Sequence, residues 1–118
     1  MKQDEKLLKT VRECCLSIDA KFGSDIKILH VGNISSLCDY FIIATSSNVN
    51  QQRAICQEAE KTLEKRGLIR KHAEGLDSTG WALLDFGDVI VHIFDSTQRE
   101  FYDLERLWGD AEIVNNSY

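Results

Sequence analysis

The sequence predicts one α/β domain over residues 1–118, with a mixed five-stranded sheet and about three helices. Three observations carry this. Apolar residues recur at helical spacing in three stretches, and short runs rich in branched and aromatic residues lie between them. The chain also has no proline, no low-complexity run and no internal repeat, so nothing reads as a linker. The order is α-β-β-α-β-β-β-α.

The first helix is expected from about Glu5 to Phe22, where Leu7, Val11, Cys14, Ile18 and Phe22 form a stripe and Gly23 marks the stop. Two strands follow within Asp25–Gly32 and Asp39–Ser46. The run YFIIA shows no alternation, which marks a central strand covered on both faces. Asn48, with Gln51 three places on, fits a capping box for a helix over Val49–Arg66, buried through Ile55, Ala59 and Leu63. Gly67 ends that helix and Leu68 packs back on its last turn. A short strand over Leu68–His72 makes the strand–helix–strand unit Tyr40–His72, which favours one parallel pair. After the loop Glu74–Trp81 comes a hairpin, GWALLDFGDVIVHIF. The last helix is expected to start at Thr97, boxed with Glu100, and to run through Phe101, Leu104 and Trp108. Three helices do not cover both faces of five strands, so part of one face stays open.

With Gly87-Asp88 as turn residues, Phe86 pairs with Val89, Leu84 with Val91 and Ala82 with Ile93. That face is wholly apolar and belongs in the core. The other carries Trp81, Leu83 and Asp85 opposite Phe94, His92 and Ile90, with Asp85 diagonal to His92. This second face either lies under a helix, with Asp85 bonded to His92, or opens toward a partner.

Apolar content of 43% and charged content of 28% are those of an ordinary soluble domain. No segment approaches the roughly 18 apolar residues of a membrane span, and the charged amino-terminus lacks a signal peptide's apolar core, so no membrane role is expected and a cytoplasmic protein is the simplest reading. Cys14, Cys15, Cys38 and Cys56 lack C-x-x-C spacing and read as buried, reduced small hydrophobes. Asp85, Asp88, Asp95, Glu100, Asp103, Glu105, Asp110 and Glu112 oppose only Arg99 and Arg106. That segment therefore carries −6 of the net −5, and the rest +1. So acidic a carboxy-terminal third repels nucleic acid backbones, argues against direct DNA binding and favours a basic partner. A solvated acidic face kept for solubility is the plain alternative.

Catalysis or metal binding by Asp85, Asp88 and His92 needs convergence, yet tip and strand residues of a hairpin diverge. His30 and His72 add no H-x-H or H-x-x-x-H spacing. The element order is similar to a nucleotidyltransferase core, which uses paired carboxylates after a Gly-Ser turn. Here Gly23-Ser24 and Asp39 are present, but Phe41 stands where the second carboxylate would be. No catalytic residue, metal or cofactor is expected. A binding surface remains, with Trp81, Phe86 and Tyr102 as aromatic anchors and Asp85, Asp88, Asp103 and Glu105 around them, facing a basic, partly apolar protein surface. Core packing is the plain alternative for Trp81 and Trp108.

These residues carry a resemblance. DYFIIAT from Asp39, Ala54-Ile55, Glu74-Gly75, the hairpin and REFYDLERLWGDA from Arg99 resemble the Iojap-related ribosomal silencing factors in order and spacing, over a core of about 25–111. The resemblance implies a non-enzymatic translational repressor with a nucleotidyltransferase-like topology lacking the catalytic acids. It implies binding to the large ribosomal subunit through its fourteenth protein, which blocks joining of the small subunit and lowers translation when nutrients are short. It also implies homodimers, in which members are often seen. The family's binding face corresponds here to Trp81, Asp85, Phe86 and Tyr102, and Asp88, His92 and Glu105 complete the expected partner-binding set. His30 stands where Asp is usual, Ser46 where Gly is common, and Phe86 where Tyr or Leu is more frequent. A large-subunit assembly factor and a nucleotide-binding enzyme on the same fold are the alternatives.

Overall fold

In a computed structural model that describes residues 2–78 and 80–114, two nearly continuous apolar segments form the middle of the sheet. They are β2 (Tyr40–Thr45) and β5 (Val89–Phe94), paired in parallel from Tyr40↔Val89 to Thr45↔Phe94. Only Thr45 and Ile90 among these residues are not fully buried. The other strands add antiparallel: β1 (Ser24–His30) beside β2, β4 (Trp81–Asp85) beside β5, β3 (His72–Glu74) beside β4, and β6 (Glu112–Val114) beside β1. The sheet is six-stranded, in the order β3-β4-β5-β2-β1-β6.

This corrects the expected five strands. Residues 112–114 are too few to show a period, and β6 is a strand only because the edge of β1 offers backbone partners at Ile28–His30. The parallel pair exists, but its second member is β5 and not the segment after the second helix. That segment forms β3 later than expected, at His72–Glu74, with no buried residue. The exposed β3 sits at the sheet edge beside β4, and the apolar β5 takes the parallel place beside β2.

Helices α1 (Lys2–Ala20) and α2 (Val49–Lys65) pack side by side on one sheet face. Val11, Cys14, Cys15 and Ile18 of α1 and Ile55, Cys56, Ala59 and Leu63 of α2 meet Ile28, Ile42, Leu84, Val91 and Ile93 there. All four cysteines are buried and free. Burial pushes the thiols of Cys15 and Cys56 up to about 12 and that of Cys38 to about 11, which keeps them protonated at neutral pH.

Both long helices end in the same hydrogen-bond motif, with different residues in the left-handed position. In α2 it is Gly67 (φ 94), with the Leu68 amide bonded to Leu63 O at 3.0 Å. In α1 it is Phe22 (φ 65), with the Gly23 amide bonded to Ile18 O at 3.0 Å. Phe22 is therefore exposed and outside the helix, not on its stripe. At the start of α2, Asn48 Oδ1 accepts from the Gln51 amide at 2.8 Å. Gln51 returns the bond to Ser47, one residue before the expected amide, and its Nε2 reaches Phe22 O at 3.0 Å. The cap thus also ties the ends of α1 and α2 together.

The second face carries Leu29, Val31, Phe41, Ile43 and Phe94, covered only in part by α3 (Ser96–Tyr102) and α4 (Leu104–Leu107). These replace the expected single helix. Asp95, not Thr97, is the cap of α3, its Oδ1 accepting from the Gln98 amide at 2.7 Å. Asp103 then adopts φ 48, ψ 57, which breaks the helix. The break turns Leu104 into the core and leaves Phe101 77 % exposed, so Phe101 is not on a buried stripe.

Buried Gln52 pins the loop before β4, its Nε2 donating to Gly75 O at 3.0 Å and Ser78 O at 2.7 Å. Thr79 of that expected loop lies outside the described residues. Gly75 has φ 70, and a Cβ there would sit 2.1 Å from Trp81 O, whereas a Cβ at Gly67 would meet nothing within 4 Å. Gly67→Ala is therefore expected to cost about 1 kcal/mol, from the backbone alone. Gly75→Ala is expected to cost at least about 2 kcal/mol more, since backbone must also move. Urea unfolding of both variants checks the order, and equal costs would show that the loop before Trp81 yields freely.

Candidate functional site: an aromatic, acidic face on the open side of the sheet

The hairpin pairs as its sequence predicts. Trp81↔Phe94, Ala82↔Ile93, Leu83↔His92, Leu84↔Val91 and Asp85↔Ile90 are opposite one another, and Phe86 N bonds to Val89 O at 2.9 Å. Ala82, Leu84 and Phe86 enter the core beneath α1 and α2. Trp81, Leu83 and Asp85 are half-buried on the open face.

Phe86 is 3 % exposed, so its ring anchors the tip inward and does not face a partner in this conformation. The alternation of β4 continues through residue 86, which puts Phe86 with Ala82 and Leu84. Asp85 is not bonded to His92. Its Oδ1 accepts from the Gly87 amide at 2.8 Å and so shapes the turn. Asp88 is exposed, while its carbonyl receives the amides of Asp39 and Tyr40, both at 3.0 Å, and joins the turn to the start of β2.

His92 is 4 % exposed. Its bonding partner is on the other diagonal: Trp81 Nε1 donates to His92 Nδ1 at 3.1 Å. The ring lies edge-on to Phe41 at 4.7 Å and parallel to Phe94 at 6.2 Å. Burial lowers its pKa to about 4. An indole N–H only donates, so Nδ1 is the acceptor and the neutral ring carries its proton on Nε2. Among the described residues, the enclosed Nε2 finds no hydrogen-bond partner. An unsatisfied buried donor of this kind costs about 1–3 kcal/mol.

Above this pair, Trp81 stacks on Phe94 at 4.9 Å and meets Tyr102 at 4.6 Å. Tyr102 is 44 % exposed and touches Phe101 edge-on at 5.1 Å. Glu100, Phe101, Tyr102, Asp103, Arg106 and Leu107 line a shallow concavity of about 490 Å³. A second hollow, about 440 Å³, lies toward the hairpin tip between Leu37, Phe41, Ile90 and Trp108, with Asp85 and Lys71 in its walls. Trp108 is half-buried, edge-on to Phe41 at 5.0 Å.

Glu105 is held by Arg99, whose Nη2 is 3.1 Å from Glu105 Oε2. Arg99 is itself buried, with Nη1 donating to Asp25 O and to Thr45 Oγ1 at 2.9 Å. It fixes α3 and α4 to the ends of β1 and β2. Sequence reasoning missed Arg99, which had no pattern to distinguish it from a surface cation. Leu37, exposed at the rim of the second hollow, was not singled out either, although a leucine among turn residues (Ile34-SSLC) was a legible signal. The structure brings Trp81, His92 and Tyr102 together, and places Asp85 and Asp88 at the hairpin's far end. Among the described residues, no three His, Cys, Asp or Glu side chains converge as a metal site would need, and no helix is long and apolar enough to cross a membrane.

The chain matches a family model described as ribosomal silencing factor during starvation over residues 4–117. It is 37% identical to the ribosomal silencing factor RsfS of Bacillus subtilis, over 94% of this chain and 92% of that one. It is 39% identical to the chloroplastic protein Iojap of Arabidopsis thaliana over 91% of this chain, which spans 44% of that longer protein. A crystal structure of a Chromobacterium violaceum protein superposes with a TM-score of 0.82 at 30% identity, covering 86% of this chain and 85% of that one. One from Bacillus halodurans gives 0.77 at 32% identity, covering 94% and 98%.

The state of His92 sets a pH dependence. Its folded pKa, about 4, lies below the ordinary 6.5, so between these values the unfolded chain binds the proton first. The contribution is present above pH 6.5 and is lost as pH falls toward 4, at up to about 1.4 kcal/mol per pH unit. Urea unfolding between pH 7 and 5 is expected to show this loss in the wild type and not in His92→Gln. Equal slopes would show that His92 is not buried neutral.

Proposed function

The chain belongs to the family of ribosomal silencing factors, which is regulatory and not enzymatic, and from this premise we propose that it docks on the large ribosomal subunit and keeps the small subunit from joining. The contact is with the fourteenth protein of the large subunit, and the result is lower translation under nutrient limitation. The observation that carries this reading is the Trp81–Tyr102–Phe101 cluster on the sparsely covered sheet face. Large aromatic rings at the rim of a hollow are the usual anchors of a protein interface. The acids Glu100, Asp103 and Glu105 nearby suit a basic partner surface such as ribosomal proteins present, and they disfavour direct contact with a phosphate backbone.

Within this reading the residues of the face divide by role. Trp81 and Tyr102 touch the partner, with Phe101 and Leu107 extending the apolar area. Asp88 and Glu105 contribute charge. Asp85 acts chiefly through the turn it closes, and Phe86 through the core. A homodimer would have to leave this face free for docking to proceed.

Sedimentation with purified large subunits tests the proposal. The wild type is expected to co-sediment, and Trp81→Ala and Tyr102→Ala each to weaken association by about 2 kcal/mol or more, roughly thirtyfold. Full retention by both variants would remove the site from this face. In starved cells, deletion is expected to raise the fraction of joined ribosomes. An accumulation of precursor particles in its place would favour a role in large-subunit assembly.

A further inference from the structure

We infer that His92 is the positioning residue of the docking tryptophan: it holds the Trp81 indole N–H inward, so that the ring offers a partner carbon surface and no hydrogen-bond donor. The inference rests on the docking reading above and adds the chemistry of the contact.

Two observations carry it. The first is the bond from Trp81 Nε1 to His92 Nδ1, 3.1 Å long and made across a diagonal of the hairpin. A half-buried indole beside Phe94 and Tyr102 could turn about its side-chain bonds with little loss of ring contact. The hydrogen bond selects one orientation among these, with the N–H edge against the sheet. The second is what the histidine costs. Its Nε2 is enclosed without a hydrogen-bond partner among the described residues, in a site walled by Phe41 and Phe94. A purely apolar side chain of similar size would fill this site without leaving a donor unpaired. Packing alone gives no reason for an imidazole here, and among the described residues its one hydrogen bond is from the Trp81 indole.

The consequence concerns specificity. The donor that usually lets a tryptophan read a carbonyl or carboxylate at an interface is already occupied within the protein. The partner's complement to Trp81 is therefore an apolar side chain, or the stem and cationic head of a lysine or arginine laid on the ring. A partner acceptor placed at Trp81 would be left without its bond, so such surfaces are rejected.

The test compares wild type, His92→Phe and His92→Gln by the indole N–H resonances, with Trp108 as internal reference, and by sedimentation with purified large subunits. Phenylalanine keeps a ring and removes the acceptor, and glutamine keeps an acceptor. His92→Phe is expected to fold, to shift the Trp81 indole resonance and speed its hydrogen exchange about tenfold, and to weaken association about tenfold. His92→Gln is expected to recover much of both. An unchanged Trp81 resonance in folded His92→Phe, or association within twofold of wild type, would overturn the inference. Should His92→Phe not fold, His92→Leu takes its place in the same comparison. If the wild type itself does not associate with large subunits, the docking reading falls. The indole resonances then still decide whether His92 orients Trp81.

Discussion

The parallel ladder between Tyr40–Thr45 and Val89–Phe94 is the constraint on which the rest of the structure depends. Each segment is too apolar to sit at an edge, and each is covered on both faces once they pair. Their side chains separate the interior into two layers. Ile42, Ala44, Val89, Val91 and Ile93 face α1 and α2, while Phe41, Ile43 and Phe94 face the thinner cover of α3 and α4. The same register puts His92 beside Ile43 and lets the returning β4 lay Trp81 across it. A one-residue slip would send the histidine into the helix-covered core and Ile93 to the sparsely covered face.

The two layers divide the labour of the molecule. The helix-covered face has two long helices, the larger buried cluster and three of the four buried thiols. The other is closed by two short helices that Asp103 breaks apart and Arg99 ties to the ends of β1 and β2. That break explains why Tyr102 reaches Trp81 while Phe101 and Leu107 stay exposed, an arrangement one continuous helix would not provide. It also explains why so acidic a segment folds locally. Arg99 offsets part of the negative charge of Glu105 and Asp25 from within.

Much of this was legible in residue order because the relevant physics is local. Capping by Asn48, the stop at Gly67 and the alternation along Trp81–Phe94 depend on residues a few places apart, and all appear as expected. The errors share a cause. Thr97 with Glu100 and Asp95 with Gln98 both satisfy a capping pattern, and only the path of the chain leaving β5 selects Asp95. Phe22 resembled a stripe residue because helical periodicity does not show where the backbone turns left-handed. β6 and the true partner of β2 depend on an edge and a neighbour supplied from far along the chain.

The candidate site divides the same way. Composition and spacing by themselves determined an α/β domain, the two faces of the hairpin, the acidic carboxy-terminal third and the membership of Trp81, Asp85 and His92 on one face. Tertiary structure alone decided what those groups do there. Both Trp81 and Asp85 are diagonal to His92, and of the two alternatives read from the sequence, the one with a bonded histidine paired it with Asp85. The Asp85 carboxylate instead finds the nearer amide of Gly87, and burial keeps the imidazole neutral, suited to accept from an indole and not to pair with an acid. Strand periodicity sets the face a side chain points to, whereas its bonding partner depends on distance, burial and competing donors, which exist only once the sheet and its cover are assembled.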